Sequence, residues 1–183
     1  MTFSFSYSQS DIMNIHFLLR AKFLALAFLG SLTLIGHSAG HAAGDRFVPN
    51  AAGDEITDTE TGLIWRRCAE GQLWSGTTCT DTPTSFSFRN ALEHAKSVAT
   101  STGVAWRLPN VKELSSLVIR NKSAALINTT AFPSSGAQVI FWSSTPQHSS
   151  AMVGGWFVDF QRGYVGMNPS TVTYAVRLVR DAN

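Results

Sequence analysis

Trp106-Arg107-Leu108-Pro109-Asn110-Val111-Lys112-Glu113-Leu114 is the stretch whose reading decides the fold. Trp106 and Leu108 have the period-two spacing that puts both on one side of an extended segment. Pro109 pushes Leu108 out of helical geometry, so the strand ends there. Asn110 is a strong N-cap, and Glu113 stands where it closes a capping box. Leu114, Leu117 and Val118 then recur at helical spacing, which predicts a helix ending near Arg120. No nucleophile, base or metal-ligand cluster accompanies this strand-to-helix grammar.

Working outward, residues 55–65 hold two short extended runs around a turn closed by Gly62, which predicts a hairpin. A polar lead, residues 44–54, precedes it and is expected to be ordered only where it joins a sheet. Residues 71–84 are rich in Gly, Ser, Thr and Pro and read as a loop. Phe88, Leu92, Ala95 and Ala99 mark a first amphipathic helix capped by Ser87, and Thr102-Gly103 turns the chain into the Trp106 strand. Downstream, residues 121–136 are irregular, broken by Pro133, Ser134, Ser135 and Gly136. Residues 140–144 read as a strand stopped by Pro146, and residues 147–155 as a polar loop. Residues 155–160 and 164–166 form a second hairpin around 161–163, with Trp156, Val158 and Phe160 on one face. In residues 173–180, Tyr174, Val176 and Leu178 share one face of a closing strand. The sum is an α+β domain, with two helices early and strands at the start and throughout the second half.

Residues 23–35 are almost uninterruptedly apolar, follow Arg20 and Lys22, and lead into small residues. That is the pattern of an export signal, too short for a membrane-spanning helix. The expected signal peptide is residues 1–43, with cleavage after Ala42; Met13 gives the more ordinary n-region and is the expected start. No cysteine lies near the cleavage point, so no lipid anchor is expected, and no membrane span is expected in the mature chain. The remaining length of about 140 residues suits a single domain of residues 55–181 behind its lead. From Gly44 onward Lys and Arg total 12 against 11 Asp and Glu, a balance that argues against nucleic acid as a partner. The only two cysteines, Cys68 and Cys79, predict one disulfide in an oxidising compartment. Their spacing without a flanking histidine pair matches neither a catalytic dithiol nor a metal site.

Taken together, several ordered segments resemble the Lcl C-terminal domain family. They are residues 57–65, the Cys68 to Cys79 loop, residues 106–114, Phe132-Pro133, residues 141–144, 156–160 and 176–180. That domain ends a bacterial collagen-like surface adhesin and occurs in many exported bacterial proteins. The resemblance implies a C-type-lectin-like fold, with two helices packed on a small, mostly antiparallel sheet with long loops. From the adhesin it also implies binding of sulfated glycosaminoglycans as a trimer. No collagen-like stalk is present here, so trimerisation is not carried over.

The chain is therefore expected to be a non-enzymatic, cofactor-free binding domain for extracellular, sulfated polysaccharide. The alternative is a structural or interaction module that meets a protein partner at the cell envelope. Trp65, Trp106, Trp142 and Trp156 sit in apolar strands and are expected in the core, whereas Trp74 lies in the polar disulfide loop as a candidate ligand contact. Arg66, Arg67, Arg89, Arg120, Lys122 and Arg162 form a pool of candidate sulfate contacts, with ordinary solvated charges as the competing reading. Arg107, Asn110, Glu113, Asp159 and Arg177 are expected to be a structural polar set, because charges in such positions persist when paired. His94 and His148 are too isolated for a metal site. Glu-Pro-Asn, Gln-Pro-Asp and Trp-Asn-Asp, the calcium-lectin signatures, are absent. The formylglycine-generating oxidases share a Trp-Arg-Leu-Pro segment, but their late cysteine pair has no counterpart after Cys79.

Overall fold

The capping box at Asn110 is present as the sequence requires. In the computed structural model, which describes residues 45–120, 126–133, 140–148 and 153–182, the Asn110 side chain accepts from the amides of Lys112 and Glu113, and Glu113 reaches back to the Asn110 amide. The helix it starts, α2, covers Val111–Ser116 and ends well before Arg120. Leu117 already closes it as C-cap, yet Leu114 and Leu117 are buried as their spacing demands. The longer helix α1, Phe88–Thr102, starts at Ser87, whose hydroxyl accepts from the Asn90 amide. Its end needs a left-handed residue, which Gly103 supplies at φ 68° while its amide bonds the Ala99 carbonyl. The buried face of α1 is Phe88, Ala91 and Ala95, and Leu92 is exposed, so the face is rotated from the one expected.

Among the described residues the strands divide into four small sheets, where the family resemblance implies a single sheet. The first has the order β1-β2-β3-β11, formed by Phe47–Pro49, Glu55–Asp58, Leu63–Arg66 and Val179–Asp181, and all its pairs are antiparallel. The polar lead thus contributes β1, with Phe47 set edge-on to Phe132. Arg46 locks this corner: its guanidinium makes two bonds to the buried Asp58 carboxylate, at 2.8 and 2.7 Å, and a third to the Ser116 carbonyl at the end of α2. The disulfide loop holds a minimal hairpin of Leu73–Trp74 (β4) with Cys79–Thr80 (β5). Phe86–Ser87 (β6) pairs with Thr173–Tyr174 (β10). The fourth sheet has the order β7-β8-β9, from Ile140–His148, Val153–Asp159 and Tyr164–Pro169.

Three expectations fail here for reasons of backbone pairing. Pro146 does not stop β7; the register shifts between Trp142 and Pro146, and that irregularity absorbs the proline before pairing resumes through His148. Residues 173–180 are not one strand, because Ala175 makes a parallel bridge to Phe141 and splits β10 from β11. The Trp106 strand likewise shrinks to a single bridge between Arg107 and Val179.

Among the described residues, apolar side chains gather into two cores. One contains Leu114, Leu117, Phe141, Val158 and Val179, and the other contains Phe88, Ala91, Trp142, Phe157 and Leu178. Neighbours in sequence (Phe141 and Trp142, Phe157 and Val158) therefore serve opposite cores, the period-two consequence of a strand buried on both faces. Helices α1 and α2 belong to different cores. Trp65, Trp106 and Trp142 are buried, whereas Trp156 is half-buried and belongs to neither cluster. Among the described residues no helix is long and apolar enough to cross a membrane. Lys122, residues 134–136 and the expected signal segment lie outside the described residues.

Candidate functional site

Immediately after β3 the chain reaches Cys68, whose bond to Cys79 brings the two Cα atoms to 5.5 Å and closes the intervening residues into a loop. The loop, Trp106 and the turn between β1 and β2 border a common space. Between them lies a cleft of about 510 Å³, lined by Asp54, Glu55, Arg66, Glu70, Trp74 and Trp106 among others. That volume is in the range of small-molecule sites.

Each lining side chain is held by a different part of the fold. Trp74 is half-buried, and the Arg67 guanidinium lies 3.9 Å from its ring centre. Arg67 in turn donates to the Gly53 carbonyl at 3.0 Å and the Thr130 carbonyl at 2.8 Å, so both terminal nitrogens are committed. Burial lowers its pKa from the ordinary arginine value. Gly53 is required where it stands: its φ is 78°, and a Cβ there would meet the Trp74 indole nitrogen at 2.9 Å. Trp106 lies beneath two cations, with Arg66 and Arg180 at 5.2 and 5.4 Å from its ring. Arg180 is bound to Glu55 at 2.8 Å.

Glu70 is the chemically unusual member. Its side chain is only 6% exposed, yet it carries a carboxylate at the cleft wall. One oxygen lies 2.7 Å from His94 Nε2 on α1, and the other 3.5 Å from Arg66 Nη1. The His94 ring is stacked on Phe86, which fixes its direction. Arg177 sits nearby, 2% exposed, and donates to the Arg66 carbonyl at 2.8 Å and to the Arg67 carbonyl. Its guanidinium also packs on Phe132 and Phe141. Burial pushes the Arg177 pKa down to about 10, with the charge of Glu70 acting the other way. Arg177 thus anchors from below the backbone whose side chains shape the cleft.

The candidate residues fall into separate places. Arg66 and Trp74 line the cleft, and Arg67 braces Trp74 from outside the lining. Arg162, 72% exposed and bonded to Asp159 at 3.1 Å, lies in the turn between β8 and β9. That turn is joined to the segment after α2, because the Leu126 amide bonds the Phe160 carbonyl and the Ile119 amide bonds the Leu126 carbonyl. Exposed Arg120 therefore adjoins the Arg162 turn. Arg89 is exposed on the first turn of α1. Arg89 and Arg120 have no acidic partner among the described residues.

The structural polar set divides the same way. Arg107 binds both oxygens of Glu113, at 2.8 and 3.0 Å, and adds Asp181 at 2.9 Å, which joins α2 to β11. Asp159 accepts from the Gln161 and Arg162 amides and shapes the turn after β8. Arg177 is buried and bonds the Arg66 and Arg67 carbonyls. Asp54, Glu55 and Glu70 were missed by sequence reasoning. Glu70 did carry a signal, as a carboxylate beside the half-cystine Cys68 and Ala69 in a run that is buried. Among the described residues no three His, Cys, Asp or Glu side chains converge as a metal-binding group.

A sequence model of the Lcl C-terminal domain family matches residues 54–180, which takes in both helices, the strands from β2 to β10 and all of the cleft lining but Ala52. No curated protein and no solved structure matches the chain.

Proposed function

Because the chain belongs to the Lcl C-terminal domain family, an extracellular adhesion-type class, we propose that it is an exported, non-enzymatic domain that binds extracellular polysaccharide. The observation that carries this reading is the cleft, where Trp74 and Trp106 stand beside the Arg66 and Glu70 side chains. A sugar ring has an apolar C–H face that stacks on indole and an edge of hydroxyls that hydrogen-bonds to charged groups. The half-buried Trp74 and a guanidinium–carboxylate pair in one cleft meet both needs, with the buried Trp106 closing the wall behind them. The C-type-lectin-like fold belongs to the same proposal, supported by the α+β arrangement with small antiparallel sheets and a disulfide-stapled loop.

The sulfated class of polysaccharide rests on the outer arginines, Arg120 and Arg162 on adjoining segments and Arg89. Their planar forks suit sulfate oxygens, and such contacts weaken as salt screens them. Export rests on residues 1–43 as a signal peptide, and the disulfide is consistent with it. Protein recovered outside the cytoplasm is expected to begin near Ala43 or Gly44 on N-terminal sequencing.

Heparin titrated into the mature protein tests the ligand class. Binding at low ionic strength that falls steeply at moderate salt is expected. No binding of heparin or of any glycan on an array sinks the polysaccharide reading. The second reading is a protein-interaction module of the cell envelope. Tyr164 at 58% and Met167 at 43% exposure favour it, because both lie on β9, which is the outer strand of its sheet. Recovery of one envelope protein with the domain, and its loss on substitution of those two residues, would support that reading.

A further inference from the structure

The charged groups of the cleft point to a narrower ligand than the outer surface does. Asp54, Glu55 and Glu70 line it against the single cation Arg66. Arg180 neutralises Glu55 from outside the lining, at 2.8 Å. Arg66 is stretched to 3.5 Å from Glu70, whose other oxygen is taken by His94. Asp54 is exposed, and its carboxylate is bonded by the Asn50 side chain at 2.8 Å, a neutral donor. Among the side chains that line the cleft, three carboxylates thus face one guanidinium, and Asp54 has no cationic partner among the described residues.

An ionised carboxylate can only accept hydrogen bonds, and so can a sulfate ester. The two meet with no proton to share and with like charge, which penalises their contact. A sugar hydroxyl carries a proton and satisfies a carboxylate oxygen directly. The aromatic part of the cleft asks for the same ligand, since stacking uses the C–H face of a ring that bulky anionic groups would hold away. Leu73, 68% exposed at the lip of the cleft, extends this apolar surface outward.

We propose that the cleft beside the disulfide loop accepts an uncharged, hydroxyl-rich sugar unit and excludes sulfated ones. Trp74 supplies the stacking face, Glu70 and Asp54 accept from hydroxyls, and Arg66 donates to a ring or glycosidic oxygen. This rests on the polysaccharide reading and deepens it.

The test separates the cleft from the outer cations. A variant carrying Arg89→Ala, Arg120→Ala and Arg162→Ala, checked for native circular dichroism, is titrated with matched oligosaccharide pairs. The pairs are cello-, dextran- and agaro-oligosaccharides, each with its sulfated counterpart, and tryptophan emission and calorimetry report binding. At least one neutral member is expected to bind roughly tenfold more tightly than its sulfated partner, to shift the emission, and to lose binding with Trp74→Ala. Asp54→Lys, at an exposed position, is expected to raise the affinity of the sulfated member several-fold by removing like charge. Sulfated members that bind as tightly as neutral ones through Trp74, or no response to Asp54→Lys, would overturn the inference. So would the absence of any Trp74-dependent binding. If the unsubstituted protein still binds heparin in that case, only the cleft assignment has failed; if it binds no glycan at all, the polysaccharide reading has failed with it.

Discussion

Arg67→Ala removes the clamp that joins three segments around the cleft, and its cost can be worked from the geometry. The guanidinium donates 3.0 Å to the Gly53 carbonyl in a partly buried setting and 2.8 Å to the Thr130 carbonyl at the exposed surface. A charged hydrogen bond in the first setting contributes ~1.5 kcal/mol, and the exposed one ~0.5 kcal/mol, because water replaces it readily. The contact with Trp74 at 3.9 Å adds ~0.5–1 kcal/mol. Burial of the guanidinium, which lowers its pKa, works against these gains and returns part of them on deletion. The net loss is about 2 kcal/mol, which lowers a urea midpoint by about 1 M for a domain of this size. Tryptophan emission is expected to shift red in the native baseline as the Trp74 ring loses its cover. Arg67→Lys is expected to recover less than half of the loss, since a compact ammonium cannot fork to two carbonyls and stack at once. A midpoint within ~0.2 M of the original for Arg67→Ala, well inside the expected ~1 M, would refute the clamp. Full recovery by lysine would refute the forked geometry.

Asn110→Ala frees the Lys112 and Glu113 amides, and because Asn110 is exposed the expected cost is about 1 kcal/mol, read as a shift in denaturation midpoint. An unchanged midpoint would mean that Glu113 alone holds the helix start. Cys68→Ser opens a loop with a sequence separation of 11, and chain entropy puts the loss at about 3 kcal/mol, on the order of 10 °C in Tm. Intact mass after alkylation of the native protein is expected to show no free thiol; two alkylated sites would contradict the bond. Asp58 is subject to burial, which raises its pKa, but the bonds from Arg46 and Thr61 outweigh this and hold it below the ordinary value. Its stabilising contribution is therefore complete at neutral pH, begins to fade below about pH 4 and is lost as pH falls through the depressed folded value. Asp58→Asn is expected to lower stability at pH 7 and to flatten the acid limb, and parallel pH profiles for the two proteins would show that another group titrates there.

Local chemistry was legible wherever one short segment settles the matter. The Asn110 cap, the Ser87 cap, the Gly103 stop, both hairpins and the Cys68–Cys79 bond follow from residue types at fixed spacing. The reasons are local too: orphan amides at a helix start, positive φ at its end, and a short loop between two thiols. Legibility failed where pairing with a distant strand decides. Ala175 bridges Phe141 and divides a run that looks continuous, and β7 passes through Pro146 because its register shifts there. The face of α1 rotated toward Ala91 because Phe88 is set against Trp142, a partner from across the chain. The cleft lies furthest from sequence reading. Asp54, Arg66, Glu70, Trp74 and Trp106 come from the β1–β2 turn, the end of β3, the disulfide loop and the segment before α2. The sequence by itself determined an α+β domain with capped helices, a stapled loop and a near-neutral charge balance. Only the tertiary structure decided that Arg67 braces Trp74, that Glu70 is buried beside His94, and that carboxylates outnumber cations in the cleft. Those outcomes depend on which side chains meet across the fold, and a charge takes its role from what it faces, a relation that spacing along the chain does not encode.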